Sequence, residues 1–380
     1  MMHKGILALL ASTSMLMAAP VLAASPAHGN PTTGDINHLH HIRVIASTVA
    51  PNGDQNPYGL TFDSFKGSSS APNPYYGDLL VSDFSNAQGV NGEGSSIVAI
   101  NPTTGKTSLF SQYAHYGPVA LAVSPKGPLW IADFGGLYPT QQNDAVLKPN
   151  GQKFPKGGSF ITNQVNSQAK LDGPWGQVFV PNKIAPAFLV TNVLNGTIEA
   201  MYDFGPPNFS TDTLFLTIGQ GLAHTGTNAN NAVGPQGMVY DPATGEVYVT
   251  DGADNSIRAF KWEGPNTPDQ GQGQLIYQGG PLRQPAGITL DPINGDLLVV
   301  NQQNNNLVEI RLPKTIETKN HKEITIKAHP VAVKRLDKTA VNPETGAGSA
   351  LFGVYATKSA SGHLVVYFTD DNTNTLDMLY

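Results

Sequence analysis

A short phrase recurs six times along this 380-residue chain, and no other feature constrains its fold as much. It reads Pro (Leu351 in the sixth copy), any residue, Gly or Ala, then alternating apolar residues; a second apolar run follows and ends in Asp or Asn. The fourth copy is the clearest. Pro235-Gln236-Gly237-Met238-Val239-Tyr240-Asp241-Pro242 leads through a Thr-Gly turn to Glu246-Val247-Tyr248-Val249-Thr250-Asp251, and after Asn255-Ser256 comes a third run, Ile257-Arg258-Ala259-Phe260. The small residues fall at Gly59, Ala120, Gly176, Gly237, Gly287 and Gly353, a period of roughly 50 to 66 residues that suits one four-stranded unit with its loops. The closing residues are Asp83, Asp133, Asn192, Asp251, Asn301 and Asp370. A unit of this kind cannot bury its two apolar faces alone, so the copies must stack on one another.

The runs are short, rich in β-branched and aromatic residues, and bounded by Gly, Asn and Pro, which predicts strands rather than helices. Third strands are expected at Ile97–Ile100, Ala145–Leu147, Thr197–Met201, Ile257–Phe260, Leu307–Ile310 and Leu376–Leu379. Outer strands are expected at Thr107–Phe110, Ser159–Thr162, Leu214–Ile218, Leu275–Tyr277 and Glu323–Lys327. The sixth unit runs out of chain at Tyr380 before its outer strand, and His41-Ile42-Arg43-Val44-Ile45-Ala46, ahead of the first unit, can supply it. Pairing the two ends closes a ring and removes two exposed sheet edges. The expected fold is all-β: a six-bladed β-propeller with four-stranded antiparallel blades, one domain over residues 41–380.

The N-terminus carries Lys4, an apolar stretch from Gly5 to Ala19 and Val21-Leu22-Ala23, the pattern of a cleavable secretory signal over residues 1–23. Residues 24–40 are expected to form a flexible arm. A periplasmic or secreted location follows, and no later segment is long and apolar enough to span a bilayer. There is no Cys, hence no disulfide and no thiolate metal site. Charged residues make up 13% of the chain and the net charge is −6, which argues against nucleic acid, whose phosphates need clustered Lys and Arg. A monomer is expected. The stretch Lys314 to Lys338, the one mildly basic segment, is read as a solvated outer strand and connector.

In a propeller, the loop before each inner strand and the loop after each second strand crowd around one mouth of the central channel. That geometry nominates Asn56, Tyr58, His115, Tyr116, Asp172, Trp175, Gln236, Arg283, Gln284 and Phe352. Aromatic rings with amides and one Arg suit a small, neutral or weakly anionic polar ligand; a protein partner, or rings that merely plug the channel, are the alternatives. The ring of closing Asp and Asn residues recurs in every unit, as expected of groups that accept hydrogen bonds from turn amides. His38, His40 and His41 are read as a solvated arm, although His38 and His40 in an extended segment would share a side. His224 lies in a Gly- and Asn-rich loop, 219–233, which either overhangs the disc or is a flexible insertion.

The phrases quoted above resemble NHL-repeat and YVTN-type propellers over nearly all of the chain beyond the signal segment. More distantly they resemble SMP-30/gluconolactonase-like propellers. That second resemblance implies a divalent metal at the mouth, held by a Glu at the first inner strand with later Asn and Asp ligands. Here Asn56 occupies the first opening, and the eight Glu residues (Glu93, Glu199, Glu246, Glu263, Glu309, Glu317, Glu323 and Glu344) lie away from the inner-strand openings. Asp172 is the one acid at such a position, and a single carboxylate holds Ca²⁺ poorly. No cofactor is therefore expected. The leading expectation is a non-catalytic binding module; the rival is a metal-assisted hydrolase or lyase using Asp172 and Asn56 with His115 or His224.

Overall fold

The computed structural model describes residues 34–112, 117–136, 142–155, 158–202, 208–317 and 323–380. The expected signal segment and most of the expected arm, as well as His115 and Tyr116, lie outside the described residues. Among the described residues there are six four-stranded antiparallel sheets and two small two-stranded ones. Blade 1 comprises Gln55–Phe62, Leu79–Ser85, Asn91–Ile100 and Thr107–Gln112. Blade 2 comprises Pro118–Val123, Leu129–Asp133, Asn143–Leu147 and Phe160–Ile161. Blade 3 comprises Pro174–Val180, Ala187–Asn192, Thr197–Tyr202 and Leu214–Gly219. Blade 4 comprises Pro235–Asp241, Glu246–Asp251, Ser256–Lys261 and Gln274–Gln278. Blade 5 comprises Pro285–Leu290, Leu297–Asn301, Asn306–Arg311 and His329–Arg335. Blade 6 comprises Leu351–Lys358, Leu364–Asp370, Thr375–Leu379 and, from the other end of the chain, Ile42–Ser47. The N-terminal strand pairs Ile42 with Leu379 and Ser47 with Thr375, so the ring closes as the end-to-end count requires. Inner strands touch in the cyclic order 1-2-3-4-5-6-1.

The core is a set of wedges between blades. Leu80, Ile97, Ile131 and Leu147 fill the wedge between blades 1 and 2, and Trp130 stacks on Phe188 between blades 2 and 3 with ring centroids 4.4 Å apart. Each such side chain contributes roughly 1.5–3 kcal/mol by leaving water, and none can do so within a single blade.

The recurrent glycine is a matter of inter-blade distance. A Cβ on Gly59 would lie 2.0 Å from the Val119 carbonyl oxygen of the next blade, and one on Gly237 would lie 2.3 Å from that of Ala286. Each inner strand carries a register shift across this position, which leaves an amide unpaired by the sheet. In blades 1, 3, 4 and 6 the hydroxyl before the closing residue takes that amide. Ser82 Oγ accepts from Gly59 N–H at 2.8 Å and donates to the Val119 carbonyl at 2.6 Å. Thr191 does the same between Gly176 and Gln236, and Thr250 between Gly237 and Ala286. One side chain thus repairs its own sheet and fastens the next blade.

Two expectations need correction. The outer strand of blade 5 is His329–Arg335; Glu323–Ile326 instead pairs with Lys314–Glu317 in a separate hairpin. All four residues of Glu323–Ile326 are exposed, so that run has no face to bury, whereas His329–Arg335 buries Ala332. The chain is also anchored before residue 41. Ile36 and Leu39 are buried, and both oxygens of the fully buried Glu309 accept amides, from Asp35 and Ile36, each at 2.9 Å. Asp35–His38 is a 3-10 turn, so His38 and His40 do not share one extended segment.

Candidate functional site

Two cavities lie in succession along the central channel and share Tyr58, Trp175 and Phe352 in their walls. These three rings form a septum. Tyr58 is stacked on Phe352 at 3.6 Å and on Phe84 at 4.3 Å, and Trp175 meets Phe134 edge-on at 5.7 Å. Ala229 and Ala232 of the 219–233 loop pack into the same cluster, so this loop does lie over the mouth. Beyond the septum is a chamber of about 610 Å³ walled by the six inner strands, with no charged side chain among the described residues of its lining. On the near side is a cup of about 340 Å³.

The cup is built from amides. Asn56, Asn91, Gln284, Gln302 and Gln303 line it together with Asn230 and Asn231, the 345–349 segment, and one carboxylate, Asp371. Asn56 and Gln284 immediately precede inner-strand prolines and have left-handed φ values of 67° and 50°. The corresponding residues of blades 2 and 3 are Gly117 and Gly173, also left-handed. A side chain in this conformation costs roughly 1–2 kcal/mol where glycine would cost little. What holds the strained residue is an Asn from the blade before. Asn374 Oδ1 accepts the Asn56 amide at 2.7 Å, Asn255 Oδ1 accepts the Gln284 amide at 2.6 Å, and Asn305 Oδ1 accepts that of Ala350 at 2.9 Å. Each of these Asn residues stands just before or at the start of a third strand and is itself left-handed.

Asp371 follows the closing acid Asp370, and its amide donates to the Ala350 carbonyl at 2.9 Å. The Asn56 carboxamide, turned so that oxygen and nitrogen both meet suitable partners, donates to the two Asp371 oxygens at 2.8 and 3.2 Å. Burial, and then the neighbouring Asp370, push the Asp371 carboxyl up to about 7. Burial, with Asp371 adding to it, holds the Tyr58 phenol well above its ordinary range.

Of the nominated residues, the structure brings Asn56, Tyr58, Trp175, Gln284 and Phe352 together around the cup. Arg283, Asp172 and Gln236 line neither channel cavity. The Arg283 guanidinium donates to the carbonyls of Gly280 and Leu282 at 2.8 and 2.7 Å. Asp172 has its carboxyl raised by burial, with His224 and Asn195 nearby opposing the shift. Gln236 is fully buried. Among the described residues no three His, Asp or Glu side chains are placed to share a metal ion.

Asp371, Asn91 and Gln302 escaped the sequence reading, which stopped at the closing acid. The residue after it was the missing signal: Phe84, Phe134, Val193, Gly252, Gln302 and Asp371 in blades 1 to 6. The closing residues themselves divide. Asp251 and Asp370 accept turn amides, of Ala253 and Thr373. Asn192 and Asn301 donate back to the carbonyls of Lys170 and Pro281. Asp83 is fully buried with neither oxygen hydrogen-bonded, and burial, with Asp54 adding to it, raises its carboxyl well above the ordinary carboxylate range.

The sequence matches no protein-family model and no curated protein. Solved structures do match in shape. An auxiliary nutrient binding protein from Bacteroides thetaiotaomicron is 10% identical with a TM-score of 0.51, over 89% of this chain and 76% of that one. Another auxiliary nutrient binding protein, from Bacteroides ovatus, is 9% identical with a TM-score of 0.51, over 89% and 76%. A gluconolactonase from Xanthomonas campestris is 12% identical with a TM-score of 0.47, over 89% and 88%. At such identities the likeness extends to the fold alone, and by that measure and by its own strand order this chain is a six-bladed β-propeller.

Proposed function

We propose that this protein is an exported binding propeller that takes one small polar molecule in the cup above the aromatic septum. The observation that carries the reading is the cup itself, a recess of about 340 Å³ closed below by packed rings and walled by amides from blades 1, 5 and 6. Amides supply donors and acceptors in fixed directions, and two of them, on Asn56 and Gln284, stand on strained backbone positions where glycine would be cheaper. Strain of this kind is kept where the side chain has work to do. A recess of this size suits a small molecule better than a protein surface. Export rests on Lys4, the apolar stretch after it and Val21-Leu22-Ala23. The auxiliary nutrient binding proteins of the same fold are compatible with such a role.

The test is a thermal-shift screen of sugars, polyols, amino acids and amines, followed by crystal soaks of the hits. Density in the cup, with affinity lost in Gln302→Ala, is the expected result. Hits that occupy only the outer rim of the disc, with affinity unchanged by Gln302→Ala, would overturn the reading.

A further inference from the structure

The charge inventory of the cup narrows the ligand, and this step rests on the binding reading above. Among the described residues lining the recess there is no Lys, Arg or His, and Asp371 is the one carboxylate. No salt bridge reaches Asp371 among the described residues; its side-chain partner is the neutral amide of Asn56. Arg283, which the sequence suggested as the charged group of the mouth, is exposed and turned to backbone carbonyls elsewhere. The potential is made more negative by Asp370, next in the chain; at the rim Asp337, whose carboxylate accepts from Asn372, has Arg335 beside it. A desolvated carboxylate with no cation either takes up a proton or is relieved by a positive group that arrives with the ligand.

We infer that the ligand of this cup carries a positive charge, an ammonium group on a small polar or aromatic molecule, which it places against Asp371. The amide oxygens of Asn91, Gln284 and Gln302 can accept its remaining N–H or O–H donors. An anionic ligand would meet like charge and no donor stronger than an amide.

The test uses the full-length mature protein and two matched series at low ionic strength and pH 8. One is ethanolamine, ethylene glycol and glycolate; the other is 2-phenylethylamine, 2-phenylethanol and phenylacetate. Binding is followed by calorimetry and by intrinsic tryptophan fluorescence; of the three tryptophans, Trp175 borders the cup. At least one amine should bind about tenfold or more tightly than its neutral counterpart, with the acids weakest. Asp371→Asn should abolish that preference while leaving the melting transition cooperative. The groups around Asp371 are Asp370, Tyr58 and, at the rim, Asp337. None of these three is cationic, and Arg335 lies beside Asp337 at the rim rather than in the lining of the cup, so amine affinity should rise as pH goes from about 5.5 to 7.5 and Asp371 ionises. Amine and neutral molecule binding equally, both lost in Gln302→Ala, would overturn the inference and leave the binding reading standing. No binding by either series would overturn both.

Discussion

The two halves of the channel mouth are built on the same repeat and behave as opposite materials. At the position after the closing residue, blades 1 to 3 carry Phe84, Phe134 and Val193, all essentially without solvent exposure. Blades 5 and 6 carry Gln302 and Asp371, which line the cup. The backbone is shared: Phe134, Val193, Gln302 and Asp371 each donate their amide to the carbonyl of the residue just before their own blade's inner strand, at 2.9 to 3.0 Å. The repeat therefore fixes where a side chain is delivered, and the residue delivered decides whether that sector is core or site. A quasi-symmetric ring needs only a few substitutions at one register to turn a plug into a recess. The dry half also gives the wet half a floor, because Tyr58, Phe84 and Phe352 stack across the boundary between them.

Breaking the dry half should have the largest effect. Trp175 is 6% exposed and touches Tyr58, Phe84 and Phe134, so Trp175→Ala should cost about 3–5 kcal/mol in chemical denaturation. A loss under about 1 kcal/mol would mean that the ring belongs to the site rather than to the core.

The wet half should respond in the opposite sense, and its response should depend on pH. In the folded chain the Asp371 carboxyl is raised to about 7, above the value of about 4 expected for the unfolded chain. Stability associated with this group is therefore full below about pH 4, declines as pH rises toward 7 and stays low above it. Without ligand, Asp371→Asn should melt with the wild type near pH 4 and at a higher temperature at pH 8. A variant less stable at pH 8 would show that the carboxylate has a favourable partner in the fold, against the contrast drawn here.

The smallest effect is expected at the strained opening of blade 5. Gln284→Gly restores the residue type found at Gly117 and Gly173 and relieves a left-handed φ of 50°. Stability should change by no more than about 1 kcal/mol, while ligand affinity falls because a wall amide is gone. A larger loss of stability would show that Gln284, which donates to Gln302, holds the wall together.

The asymmetry was present in the sequence but not at the places from which it was read. Tyr58, Trp175 and Phe352 were legible as mouth residues because they sit between the opening residue and the small residue of the repeat. Whether they would meet a ligand or one another was not legible, since stacking depends on distances across the ring. Asp371 was hidden beside Asp370, whose recurrence in every blade drew it into the scaffold. Arg283 was the reverse case, an ionisable residue at a mouth position whose guanidinium finds two carbonyls within its own turn.

By itself the sequence determined the number of blades, their strand order and the closure by the two ends of the chain. These follow from local patterns: period-two apolar runs, turn residues, and a small residue wherever the next blade's carbonyl comes close. The tertiary structure decided what the repeat leaves open. It selected His329–Arg335 over a neighbouring run as the outer strand of blade 5, since only that run could bury a face. It fastened residues 34–39 to Glu309, stacked one half of the mouth shut, and left Asp371 with amides and no cation. Each of these outcomes depends on which groups from distant parts of the chain arrive at the same point, and on whether they satisfy one another's hydrogen bonds and charge there.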